Sequence, residues 1–242
     1  MTHSSALSVE NLGASIDHSE IVRDVSLTIR SGERILLFGP NGAGKTTLLS
    51  AIAGLPRVRI TRGKILLDSE DITQLPAYSR AVKGVVLSYQ IPPELTGLTV
   101  SRLAELIAKR FGSEDLVSQL AEMLDIEYLL NRDAFKGFSG GERKRVEVFF
   151  TALLKPRFAL LDEPDSGVDV DSVKLIAGTL NFLAGKFNTG IVVVTHTRLL
   201  AEQIGRTARG FILREGRVVC DGDALELLSN LEEKGFEGVC NE

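Results

Sequence analysis

Eight residues constrain this chain more than any others: Gly39-Pro40-Asn41-Gly42-Ala43-Gly44-Lys45-Thr46. They follow the apolar run Arg34-Ile35-Leu36-Leu37-Phe38 and precede Thr47-Leu48-Leu49-Ser50-Ala51-Ile52-Ala53-Gly54, which has the composition of a helix. Strand, glycine loop and helix thus stand in the G-x-x-x-x-G-K-[ST] spacing of a phosphate-binding loop. Glycines let backbone N–H groups turn inward around phosphate oxygens, where a side chain would obstruct them. The helix N-terminus adds the positive end of its dipole. Lys45 is placed to reach the β- and γ-phosphates, the Thr46 hydroxyl to ligate Mg²⁺, and Thr47 to follow them into the first helical turn. The spacing predicts a bound nucleoside triphosphate with Mg²⁺.

Around that unit, 242 residues suit one large α/β domain, or a core with a lobe inserted into it. A net charge of −4 draws the chain to neither nucleic acid nor anionic lipid. Apolar stretches such as Val146–Leu154 fall short of a membrane span, and Met1-Thr2-His3-Ser4-Ser5 has no secretory pattern, so a cytoplasmic protein is expected. Residues 6–38 read as β structure with polar breaks at 17–20 and 30–33. Arg62–Asp68 and Val85–Gln90 read as further strands. Residues 99–151 are mainly helical, with Val100, Leu103, Leu106 and Ile107 on one face. Alternation of strand and helix then resumes with Phe158–Asp162, Ile176–Leu183, Ile191–Thr195 and Phe211–Leu213. The pattern predicts a parallel-sheet core carrying a helical insertion.

Three further motifs carry chemistry. Phe158-Ala159-Leu160-Leu161-Asp162-Glu163 is a buried strand ending in two acids, suited to Mg²⁺ at Asp162 and to water activation by Glu163. Ile191–Thr195 delivers His196 at its end, where it can meet a γ-phosphate, and Gln90 ends its strand in a position for a Mg²⁺ or water contact. Phe138-Ser139-Gly140-Gly141-Glu142 precedes a helical run and makes a second helix N-terminus open to anionic oxygens. Taken alone it is also simply a helix capped by Ser139. A second phosphate-binding cap far from the first is explained if ATP lies between two copies, one supplying the glycine loop and the other Ser139, Gly140 and Gly141.

In this order the motifs resemble those of ABC-type ATPases over essentially the whole chain. The resemblance implies an α/β fold: a P-loop NTPase (RecA-like) core with an N-terminal antiparallel β subdomain and an inserted helical subdomain. It implies a single domain over 1–242, with 1–89 and 158–242 as nucleotide-binding core and 90–157 as the helical subdomain. It makes Ser166–Asp169 the loop linking two sites across a dimer, with Asp169 among the cofactor-binding residues. It places Ile16 at the adenine-stacking position, where most relatives have an aromatic, so base discrimination is expected to be weak.

Finer details are similar to the SufC branch, the soluble ATPase of the Suf iron–sulfur cluster assembly system. Asn131-Arg132, Glu147, Asp165-Ser166-Gly167-Val168-Asp169-Val170-Asp171, Arg80, Gly84 and the Leu231–Phe236 tail carry that likeness. Pro164, Val146 and Thr197-Arg198-Leu199-Leu200 depart from it. The likeness implies an ATP-dependent head-to-tail homodimer that drives cluster assembly on a SufB- or SufD-like scaffold. The alternative is the nucleotide-binding subunit of an ABC membrane transporter, which would use the same catalytic residues. A chromosome-organising role lacks both a coiled coil and a basic stripe. Cys220 and Cys240 are too few for a disulfide framework and match no cluster-ligand spacing; Cys240 is expected near a mobile C-terminus.

Overall fold

The structure, a computed structural model, describes residues 5–88, 92–205 and 207–240. The chain opens with a long hairpin, β1 (Ala6–Ile16) and β2 (Ser19–Arg30). Its turn is the first polar break: Asp17 and His18 both take positive φ, 45° and 68°, and Ile16 pairs with Ser19. Two left-handed residues match the twist of the flanking strands, which is why a short polar turn suffices. After β3 (Arg34–Phe38) and α1 (Lys45–Ala53), β4 (Arg59–Leu67) and β5 (Glu70–Asp71) join the hairpin in an antiparallel sheet ordered β2-β1-β4-β5.

α2 (Ala77–Val82) and β6 (Val85–Leu87) lead into the helical insertion, α3 (Val100–Phe111), α4 (Val117–Met123) and α5 (Gly140–Leu153). Next come β7 (Phe158–Asp162), α6 (Val170–Phe187), β8 (Gly190–Val194), α7 (Arg198–Ile204), β9 (Arg209–Arg214), β10 (Arg217–Asp223) and α8 (Ala224–Gly238). The second sheet runs β10-β9-β3-β8-β7-β6 and is parallel except for β10. Phe158–Asp162 and Gly190–Val194 are buried at every residue, as strands covered on both faces must be.

Alternation along β3 divides the core. Leu36 and Phe38 pack with the helical insertion, α6 and α8, while Ile35 and Leu37 pack with α1 and the antiparallel sheet. The sheet order also builds the site. β3, β8 and β7 lie side by side in parallel, so the glycine loop, the His196 loop and Asp162-Glu163 all emerge at one carboxyl edge.

Arg80 shows how the α1 end is held. Its guanidinium, 2% exposed, donates to the carbonyls of Ala51, Ile52, Thr73 and Leu75. It therefore satisfies the last carbonyls of α1, and burial pushes its pKa down to about 10, still charged at neutral pH. The cysteines correct the sequence expectation. Cys220 on β10 and Cys240 beyond α8 form a disulfide, with Cα atoms 5.9 Å apart, so the chain end is tied back to the sheet. Among the described residues, no helix is long and apolar enough to cross a membrane.

Candidate functional site

The glycine loop leaves β3 and wraps to the start of α1. Gly39 has φ 152°, and a Cβ there would stand 2.2 Å from the Leu213 carbonyl oxygen of β9, so only glycine fits. Gly42, at φ 79°, has no protein atom within 4 Å of the place a Cβ would take, which leaves its surroundings open. Gly44 at the N-cap of α1 offers no side chain to the first N–H groups, and the first turn carries no acid. The orphan donors at Lys45, Thr46 and Thr47 are therefore free for an anion.

Asn41 to Thr47 line a cavity of about 470 Å³ together with Ile16, Asp17, Ser19, Ile21 and Glu163. That volume suits a ligand of nucleotide size. Lys45, 6% exposed, donates from Nζ to the carbonyls of Gly39 at 2.6 Å and Pro40 at 3.0 Å. Burial lowers its pKa, while the charges of Glu163 and Asp162 act the other way. A desolvated lysine beside an uncapped helix start is a cation held ready for an anionic ligand.

Asp162 is 5% exposed, and its Oδ1 has no hydrogen-bond partner among the described residues. A buried carboxylate oxygen without a donor is costly unless a cation completes it. With the Thr46 hydroxyl across the helix start, the donor set is all oxygen, the set Mg²⁺ takes. Glu163 follows in the left-handed region, φ 51°, held by its N–H to Val194 O at 3.0 Å. Its carboxylate lies 3.4 Å from His196 Nε2, and both side chains remain partly exposed. Glu163 lines the cavity, and His196 stands beside it. Gln90 lies outside the described residues.

Ser139, Gly140, Gly141 and Asp169 do not line this cavity. Ser139 caps α5 in a reciprocal box: its Oγ accepts from Glu142 N at 3.3 Å, and Glu142 Oε2 accepts from Ser139 N at 2.7 Å. A Cβ on Gly140 would stand 2.9 Å from Gly167 O, and one on Gly141 2.9 Å from Ser172 Oγ. Asp169 caps α6, accepting from Ser172 N at 2.8 Å and Ser172 Oγ at 2.9 Å, which lowers its pKa. The Ser139-Gly140-Gly141 cap therefore packs near the Ser166–Asp169 loop rather than over its own glycine loop.

Asp17, Ser19 and Ile21 belong to the cavity but were not among the sequence candidates. The turn immediately after Ile16 was the available signal. Glu147 has a role the sequence did not define. It is 5% exposed, accepts from Ser88 Oγ at the end of β6, and lies 3.4 Å from Lys144 Nζ. It therefore joins α5 to the strand leading toward Gln90. Burial raises its pKa, against the pull of Lys144.

The ABC transporter family model matches residues 22–166. A probable ABC transporter ATP-binding protein of Streptococcus pyogenes is 37% identical, over 98% of this chain and 96% of its own length. The crystal structure of the ADP conformation of an ATP-binding cassette of an ABC transporter is 23% identical. It covers 98% of this chain and 99% of its own, with a TM-score of 0.79. A dimeric bacterial ABC transporter cassette, 21% identical, covers 90% of this chain and 98% of its own with a TM-score of 0.76. The names of these relatives support the transporter-subunit alternative better than the iron–sulfur assembly reading.

Proposed function

The chain belongs to the ABC transporter ATPase family, an ATP-hydrolysing cassette family that works with Mg²⁺, and from that premise we propose that it is the ATP-driven subunit of a transporter, acting as a head-to-tail dimer. One observation carries the dimer: the glycine loop opens into the cavity, whereas the Ser139-Gly140-Gly141 helix start of the same chain does not line it. A second copy would bring its Ser139, Gly140 and Gly141 over the ATP held by the first. A solved cassette of this fold is dimeric, which supports association of two copies.

Within such a site, Lys45 and the α1 N–H groups bind the phosphates, and Ile16 rests against the base. Thr46 and Asp162 would hold Mg²⁺, with Gln90 assigned beside them, and the bound cation would supply neutralisation of phosphate charge. Glu163 takes the proton of the attacking water, and His196 donates toward the γ-phosphate while staying within reach of Glu163. Opening after hydrolysis resets the dimer.

A second reading keeps the same chemistry but a different partner, a SufB- or SufD-like scaffold of iron–sulfur assembly. Arg132, one of the residues behind that resemblance, lies 4.9 Å over the Phe138 ring and reaches the carbonyls of Lys136 and Gly137. It thus braces the segment that carries Ser139, although bracing does not name a partner. Tagged Glu163→Gln protein, pulled down with ATP, tests both readings. Turnover is expected to fall at least about a hundredfold with ATP still bound. Recovery of a membrane permease supports transport, whereas recovery of a Suf scaffold overturns it in favour of assembly.

A further inference from the structure

We propose that Asp165 is a positioning residue for His196, holding the histidine loop from both sides through two threonine hydroxyls. Asp165 stands two residues beyond Glu163 and is 5% exposed. One carboxylate oxygen, Oδ2, accepts from Thr195 Oγ1 at 2.6 Å and also from Thr197 Oγ1. Those threonines flank His196 in sequence, so the acid clasps the residue on each side of it.

The network is closed. Thr195, fully buried, accepts the Thr197 N–H at 3.0 Å on the same oxygen that donates to Asp165. Thr197 caps α7, accepting from Leu200 N at 3.4 Å while its own hydrogen goes to the carboxylate. Each hydroxyl has one hydrogen and two lone pairs, so no donor is shared or wasted. A charged acceptor strengthens both bonds. The consequence is directional: the threonines are held inward, and His196 is left 40% exposed with Nε2 at 3.4 Å from Glu163.

The same segment also anchors the base. Glu163 N–H reaches Val194 O at 3.0 Å, and Ser166 N–H reaches Glu163 O at 3.2 Å. Residues 163–166 therefore fix Glu163 directly and His196 through Asp165. This role rests on the reading of His196 as the group that meets the γ-phosphate.

The test is steady-state ATPase of the full chain in a cycle of Asp165 and His196 variants. Asp165→Ala is expected to lower kcat about ten- to hundredfold, with KM for ATP within about threefold, because misplacement costs rate more than binding. Asp165→Asn keeps an oxygen acceptor and is expected to recover most of that loss. Thr195→Val, which removes one donor at constant shape, should fall between them. In a His196→Ala background, Asp165→Ala should change kcat by less than about twofold, since both act through one group.

Folded Asp165→Ala with unchanged kcat overturns the proposal, as does a loss that multiplies with that of His196→Ala. If Asp165→Ala does not fold, Thr195→Val is carried through the same cycle in its place, and unchanged kcat or a multiplying loss there overturns the proposal equally. Unchanged turnover in His196→Ala overturns the reading of the histidine and this proposal with it. A slow His196→Ala beside an unaffected Asp165→Ala overturns the proposal alone.

Discussion

Ile16 lines the cavity, at the last residue of β1 and beside the hairpin turn. An aliphatic side chain gives contact area and dispersion but neither a π face nor a polar atom with which to read a purine edge. Discrimination between two purines needs hydrogen bonds that one base makes and the other leaves unpaired. ATP and GTP are therefore expected to bind within about tenfold of each other. Ile16→Tyr should tighten both, by about 0.5–1.5 kcal/mol, through stacking. Titration calorimetry with each nucleotide checks this, and a large preference of the unaltered chain for ATP would refute it. The residue scale is also where sequence patterns say least. Arg80 and Glu147 stood out only as marks of a branch, yet each proves to be a buried charge with a local task. Their identity was visible; their partners, 28 and 59 residues away along the chain, were not.

Among the elements, α5 shows what a pattern reveals and what it conceals. Ser139 three residues before Glu142 is a capping signature, and the structure makes the box. The Ser139 N–H holds the Glu142 carboxyl below its ordinary 4.5, opposed by burial, with Ser139, Tyr128 and Arg132 assisting. Because the folded value is depressed, the stability it lends is fully present above about pH 4.5 and is lost as pH falls through the folded value. Glu142→Gln keeps the hydrogen bond but not the charge. It should cost about 0.5–1 kcal/mol at neutral pH, with the deficit closing as pH falls below the carboxyl's ordinary value. Urea unfolding across that range measures it, and a deficit independent of pH would show that the charge contributes nothing. The parallel strands were legible because burial on both faces leaves continuous apolar runs, as at Phe158–Leu161 and Ile191–Val194. The disulfide was not, since a pairing over 20 residues depends on how α8 folds back toward β10.

At the scale of the whole molecule, the division of the site makes a prediction that no single-chain site would satisfy. The glycine loop opens into its cavity, while Gly140 and Gly141, beside the capping Ser139, pack against the chain's own Gly167, Asp169 and Ser172. If ATP joins two copies head to tail, each composite site takes its glycine loop from one copy and its serine cap from the other. Lys45→Ala should abolish ATP binding, and Ser139→Phe should bind ATP but block closure. Neither variant alone should dimerise with ATP. Mixed together, they place both lesions in one composite site and leave the other intact, with the loop of the Ser139→Phe copy facing the unaltered cap of the Lys45→Ala copy. Adding Glu163→Gln to both prevents turnover from dissolving the pair. Size-exclusion chromatography with two distinguishable tags should then show an ATP-dependent mixed dimer and no ATP-dependent homodimer of either kind. A Glu163→Gln homodimer that forms with ATP while the mixed pair never does would mean that one composite site cannot hold two copies together. ATP-dependent self-association of the Ser139→Phe variant would be more damaging, because it would remove the serine cap from the interface altogether.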